Sequence, residues 1–102
     1  MVRTKTEEEI KILRQGGRIL AEILNEIAKQ VKPGVTTEDL EKTALNLMKE
    51  VGGKPSFKGL SMYNRKRFPT ALCTSINDEI VHAPALPARE LKLGDIVGID
   101  IG

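Results

Sequence analysis

An α+β fold is predicted for this 102-residue chain by three observations. Two long amphipathic stretches at the front each begin with a threonine–acid cap. Two short alternating stretches, "ALCTSIN" and "IVGIDIG", lie at the back. Glycine and proline clusters separate them. The length suits one domain with a modest core, covering residues 1–102.

The first helix opens at Thr6, which with Glu9 forms a Thr-x-x-Glu capping box, and the acids of "TEEE" suit the positive end of the helix dipole. Ile10, Leu13, Leu20, Ile23, Leu24, Ile27 and Val31 recur at helical spacing and predict one core face. Gly16-Gly17 interrupts that face and is expected to admit another backbone closely. "KPG", Lys32 to Gly34, ends the helix. The second helix opens at Thr36 or Thr37 and presents Leu40, Ala44, Leu47, Met48 and Val51. Gly52-Gly53 closes it.

A loop-rich stretch, "KPSFKGLSMYNRKRFPT", follows and holds both phenylalanines and the single tyrosine. In "ALCTSIN" alternation puts Leu72, Thr74 and Ile76 on one face. "NDE" reads as a tight turn, and "IVH", Ile80 to His82, as the second strand of a hairpin. After the loop "APALPARELKLGD", the last strand sets Ile96, Gly98 and Asp100 against Val97, Ile99 and Ile101.

Composition narrows the function. Sixteen Lys/Arg against fourteen Asp/Glu give a net charge of +2, too balanced and too scattered for a nucleic-acid surface. The run "NRKR" reads as a solvated loop tip. No apolar run approaches the roughly 20 residues of a membrane span. The charged N-terminus has no signal core, and one cysteine makes no internal disulfide. These features point to the cytoplasm. CxxC, HExxH, GxGxxG and P-loop motifs are all missing.

Taken singly, the chemically interesting residues are ambiguous. His82, the single histidine, reads as well as a structural residue. Asp100, in a β-branched strand, has to be solvated, paired or metal-bound. Cys73 reads as a small buried hydrophobe, and Phe57 and Phe68 as core.

Their arrangement is more specific. Ser75-Ile76-Asn77-Asp78 leads to Val81-His82, and Leu91, Gly94, Asp95, Ile96, Val97, Ile99 and Asp100 follow at set spacing. This run resembles the short, bacterial-type (type I) methionine aminopeptidases. "KTEEEIKILRQGGRILAEILNEI", the Lys-Pro-Gly turn, "TTEDLE", "GGKPSFKG" and "FPTALCTSIN" are similar to the rest of that family's front part. The resemblance implies the N-terminal half of a pita-bread fold, two helices plus an antiparallel sheet, with the C-terminal half absent. It implies an enzyme, a metal-dependent hydrolase that removes the initiator methionine of nascent peptides, possible partners being those peptides at the ribosome. Two divalent ions (Co, Mn, Fe or Zn) are implied in the complete enzyme, with none stably bound by this stretch alone, which is therefore expected to be inactive. Asp100 matches a metal-ligating aspartate. His82 matches a histidine that contacts the scissile amide and stabilises the transition state. Phe57, Leu60, Phe68 and Cys73 match the walls of the methionine slot.

Three departures stand out. Ala83 replaces a glycine that usually follows the histidine, Leu60 replaces an aromatic, and "MYNRKR" lengthens the slot loop around Asn64–Arg67, so that the slot is looser or Met62 and Tyr63 fold over it. Two further readings are an Xaa-Pro peptidase of the same fold and a metal-free pita-bread module that binds protein. The apolar last strand is expected to expose an edge, so that the chain alone self-associates as a dimer.

Overall fold

The structure is a computed structural model and describes residues 1–62 and 65–102. Helix α1 spans Glu7–Lys29, helix α2 Thr37–Glu50, strand β1 Leu72–Ile76 and strand β2 Val97–Ile101. Both helices begin with a reciprocal capping box. In α1, Thr6 Oγ accepts from the Glu9 amide and the Glu9 carboxylate accepts from the Thr6 amide. In α2 the pair is Thr36 and Asp39. Thr36 is therefore the cap, which releases Thr37 to act as a buried hydrogen-bonding residue.

The expected core face of α1 is realised only toward its C-terminal end. Ile23 and Ile27 are buried, whereas Ile10 and Leu13 are 41% and 58% exposed, because α2 and the sheet meet only the later turns. Among the described residues no backbone comes close to the helical Gly16-Gly17 pair: a Cβ at either position meets nothing within 4 Å. On α2, Leu40, Ala44 and Met48 are buried and Val51 is exposed. Gly52 takes φ +70 as the chain leaves the helix, a conformation glycine adopts freely.

The sheet differs from the expected one in a single element. Ile80–His82 is not a strand. Ile80 and Val81 are 88% and 66% exposed, and His82 sits at φ +58, in the left-handed region that breaks a strand. "NDE" does turn the chain: Asn77 is at φ +55 and the Glu79 amide donates to the Ile76 carbonyl. The returning chain then touches β1 one step later, with the Thr74 amide on the Ala83 carbonyl and a bridge between Cys73 and Pro84. Proline has no N–H to give, so pairing there goes no further. The full antiparallel partner of β1 is β2, in the register Leu72↔Ile101, Cys73↔Asp100, Thr74↔Ile99, Ser75↔Gly98 and Ile76↔Val97.

With both edges covered, β1 is buried over Leu72–Ser75. Leu72 and Ile76 pack with Val97, Ile99 and Ile101 on the helices, the face that alternation predicts. Cys73 and Asp100 share the opposite face. The strand starts on a buried charge. Glu41 of α2, 4% exposed, accepts from the amides of Ala71 (2.6 Å) and Leu72 (2.9 Å). Thr70 Oγ donates to the Leu72 carbonyl and accepts from the Ala85 amide, and Thr37 Oγ donates to the Ala85 carbonyl. α2 is thereby tied to β1 and to the segment that follows His82.

Glu41→Ala strands two buried amides that had a charged acceptor, and the expected cost is about 3 kcal/mol. Thr36→Ala removes a cap worth about 1 kcal/mol. Urea unfolding of both variants should show the larger loss at Glu41. Acid should also weaken the fold. The Thr36 amide holds the Asp39 carboxyl below its ordinary 3.8, the Ile76 amide and then Arg89 hold Glu79 below 4.5, and Asn77 and then the Lys92 amide hold Asp95 below 3.8. A carboxylate that is more acidic when folded stabilises fully above its unfolded value, and that stabilisation is lost as pH falls through the folded value. Urea midpoints are therefore expected to hold level above pH 5 and to decline below about pH 4.

Candidate functional site

The six residues singled out in the sequence converge. Phe57, Leu60, Phe68, Cys73, His82 and Asp100 line one cavity of about 400 Å³, together with Ser61 and Met62. That volume lies in the usual range of small-molecule sites, roughly 300–1,000 Å³.

Each wall has a local cause. Cys73 and Asp100 are cross-strand partners, so the thiol and the carboxylate come from adjacent strands at one level of the sheet. The Ser56 amide donates to the Gly102 carbonyl, which runs the 56–57 segment alongside the end of β2 and places Phe57 there. A Cβ on Gly102 would lie 2.3 Å from Ser56 Oγ, so a side chain there would require the Ser56 hydroxyl to turn aside. Phe57 meets Phe68 edge to face, with centroids 5.4 Å apart at 82°. Residues 59–62 pair with residues 66–68: the Gly59 amide donates to the Phe68 carbonyl, the Phe68 amide to the Leu60 carbonyl and the Met62 amide to the Lys66 carbonyl, with a bridge between Ser61 and Arg67. This ladder brings Leu60, Ser61, Met62 and Phe68 to the cavity. Met62 thus reaches the slot as the lengthened loop suggests. Tyr63 and Asn64, with the expectation placed on Tyr63, lie outside the described residues. Ser61 had no signal in the sequence.

His82 and Asp100 are both exposed, so they stand where the cavity meets solvent. They are not on neighbouring strands, since His82 projects from the irregular segment beyond the Asn77 turn. Cys73 is buried, and burial pushes its thiol above its ordinary 9.0. The Asp100 charge pushes the same way, against a hydrogen bond from the His82 backbone. It is therefore a neutral thiol at pH 7, which suits an apolar wall and not a thiolate nucleophile or ligand.

Among the described residues no three His, Cys, Asp or Glu side chains are grouped to hold an ion. Asp100 contributes a single carboxylate. No helix among the described residues is long and apolar enough to cross a membrane.

The chain belongs to metallopeptidase family M24, whose model matches residues 11–102. Within that family it is similar to proteins named methionine aminopeptidase. It is 42% identical over 102 residues to that of Clostridium acetobutylicum, covering 100% of this chain and 39% of that protein. It is 44% identical over 103 residues to methionine aminopeptidase 1 of Bacillus subtilis, again covering 100% and 39%. Its fold matches the crystal structure of methionine aminopeptidase from Thermotoga maritima with a TM-score of 0.87 at 38% identity, covering 99% of this chain and 39% of that one. The enzyme from Rickettsia prowazekii matches with a TM-score of 0.84 at 35% identity, covering 99% and 38%. The two helices and two-stranded antiparallel sheet are thus part of a pita-bread fold, and the chain spans about 39% of the length of these curated relatives.

Within the cavity the aromatic pair should differ from its rim in stability. Phe68 is 7% exposed and Leu60 57%. Phe68→Ala is expected to cost about 3 kcal/mol or more, the usual loss for a buried phenylalanine. Leu60→Ala should cost under about 0.5 kcal/mol. Denaturant titrations of the two variants check the difference.

Proposed function

We propose that residues 1–102 are the N-terminal part of the catalytic domain of a metal-dependent methionine aminopeptidase, a cytoplasmic hydrolase that removes the initiator methionine from nascent peptides. The observation that carries this reading is the convergence of Phe57, Leu60, Phe68 and Cys73 on one apolar cavity, with an imidazole and a carboxylate also lining it. An unbranched thioether side chain suits such a slot. Sulfur makes favourable contacts at aromatic edges, worth about 0.3–1.5 kcal/mol, and Phe57 and Phe68 form an edge-to-face pair in the wall.

In this reading His82 hydrogen-bonds the substrate at the scissile amide, where an imidazole can donate to the oxygen or nitrogen as charge develops. Asp100 is one carboxylate ligand of a pair of divalent ions such as Co, Mn, Fe or Zn, whose role in hydrolysis would be to activate water and polarise the carbonyl. The other ligands would come from the part of the relatives' length that this chain does not span. A strand position suits Asp100, because a rigid backbone aims its oxygens.

Methionine release from Met-Ala peptides with added metal tests the reading in the longer protein. His82→Ala is expected to lower turnover by about a hundredfold or more with metal content kept, as for a lost transition-state hydrogen bond. Asp100→Asn is expected to lose metal. Metal loss in His82→Ala with retention in Asp100→Asn would reverse the two roles.

The 102-residue chain alone should release no methionine and should self-associate. Among the described residues β2 is paired on one side only, and Ile96 beside it is 77% exposed. Burying apolar area is worth roughly 25 cal/mol per Å². Sedimentation velocity should show dimers growing with concentration, and a monomer throughout would contradict this.

A further inference from the structure

His82 projects from a segment with little support of its own. From Ile80 to His82 the chain is exposed, and it ends in the left-handed conformation at His82. A histidine pays a steric penalty there that a glycine would not, so neighbouring contacts have to hold it. The anchors lie on either side. Before the arch, the Glu79 carboxylate accepts from the Ile76 amide at 2.8 Å. After it, the Ala83 carbonyl accepts from the Thr74 amide at 2.7 Å.

One side chain joins both anchors. Arg89 Nη1 donates to the Glu79 carboxylate. Arg89 Nη2 donates to the Pro84 carbonyl at 3.0 Å, and to the Thr74 carbonyl and Oγ of β1 at 2.7 and 3.1 Å. The guanidinium is thus bonded to the chain before the arch, to the chain after it, and to the strand beneath. Arg89 is itself fixed from behind, since its amide donates to Thr37 Oγ at 3.0 Å, the hydroxyl that also holds Ala85. A rigid planar fork with several donors can serve two ends of a loop at once, which a single ammonium cannot.

We propose that Arg89 is the positioning residue of His82: its guanidinium clasps Glu79 and Pro84, closes the arch between them on β1, and so sets where the imidazole meets the cavity. The importance of this for catalysis rests on the reading of His82 given above, but the clasp itself does not. Cys73 and His82 line the same cavity, so the clasped arch stands at the slot.

Backbone NMR of the isotopically labelled 102-residue chain tests the proposal without any turnover measurement, so its failure is separate from failure of the enzymatic reading. In the wild-type chain the amides of Ile80–His82 should be ordered, with order parameters near about 0.85, and His82 should show left-handed couplings and Cα shift. In Arg89→Ala those order parameters should fall below about 0.6 and the left-handed signature should vanish, while the cross-strand contacts between β1 and β2 persist. Glu79→Ala, which opens one end of the clasp, should loosen the same three residues. Glu79→Gln retains an acceptor oxygen and should leave them ordered. If Arg89→Ala unfolds the sheet, the Glu79 pair decides the matter. A mobile arch in the wild type, or a rigid left-handed His82 in Arg89→Ala or Glu79→Ala, would overturn the assignment.

Discussion

The antiparallel register of β1 and β2 sets Cys73 opposite Asp100, and the rest of the site is arranged around that pair. Side chains alternate across a sheet, so a slip of one residue would turn Asp100 toward the helices and bring Ile99 or Ile101 to the cavity. The hydrophobic pattern resists such a slip. Val97, Ile99 and Ile101 would leave the face on which Leu72, Ile76 and α2 pack. The apolar face of β2 is thus what orients its carboxylate.

Holding β1 in place is a polar task as much as an apolar one. Its first amides rest on Glu41, its entry is braced by Thr70, and the neighbouring chain is held by Thr37. Among the described residues no buried side-chain nitrogen or oxygen lacks a hydrogen-bond partner. Such groups are costly if left unmet, so the network fixes one arrangement of helix, strand and loop. Function is then divided by rigidity. The thiol and the carboxylate stand on strands, the imidazole stands on an exposed turn segment, and the outer wall, Leu60 and Met62, stands on a short ladder of backbone hydrogen bonds.

The helices and the two strands were legible in the sequence because caps and periodicity are local. Thr6 with Glu9, and alternation through "IVGIDIG", need no knowledge of distant contacts. The convergence of Phe57, Phe68, Cys73, His82 and Asp100 was legible only through resemblance, since nothing in their spacing says that 57 and 100 are neighbours. Three features escaped. Ile80–His82 has the β-branched composition of a strand, but left-handed backbone at Asn77 and His82 and the proline at 84 remove it from the ladder. Ile10 and Leu13 continue a helical stripe beyond the body they would pack against. Ser61 reaches the cavity because residues 59–62 pair with residues 66–68, a contact between two separate arms that no local pattern announces.

We propose that one slot, built from these two strands and two loops, takes the methionine side chain. The most direct measurement is the set of nuclear Overhauser contacts made by the S-methyl group of a Met-Ala peptide added to the labelled chain. Contacts to the rings of Phe57 and Phe68 and to the Leu60 methyls are expected, with no comparable contacts for Lys-Ala. Shifts confined to residues outside this cavity, or no response of the cavity residues at saturating peptide, would contradict the account.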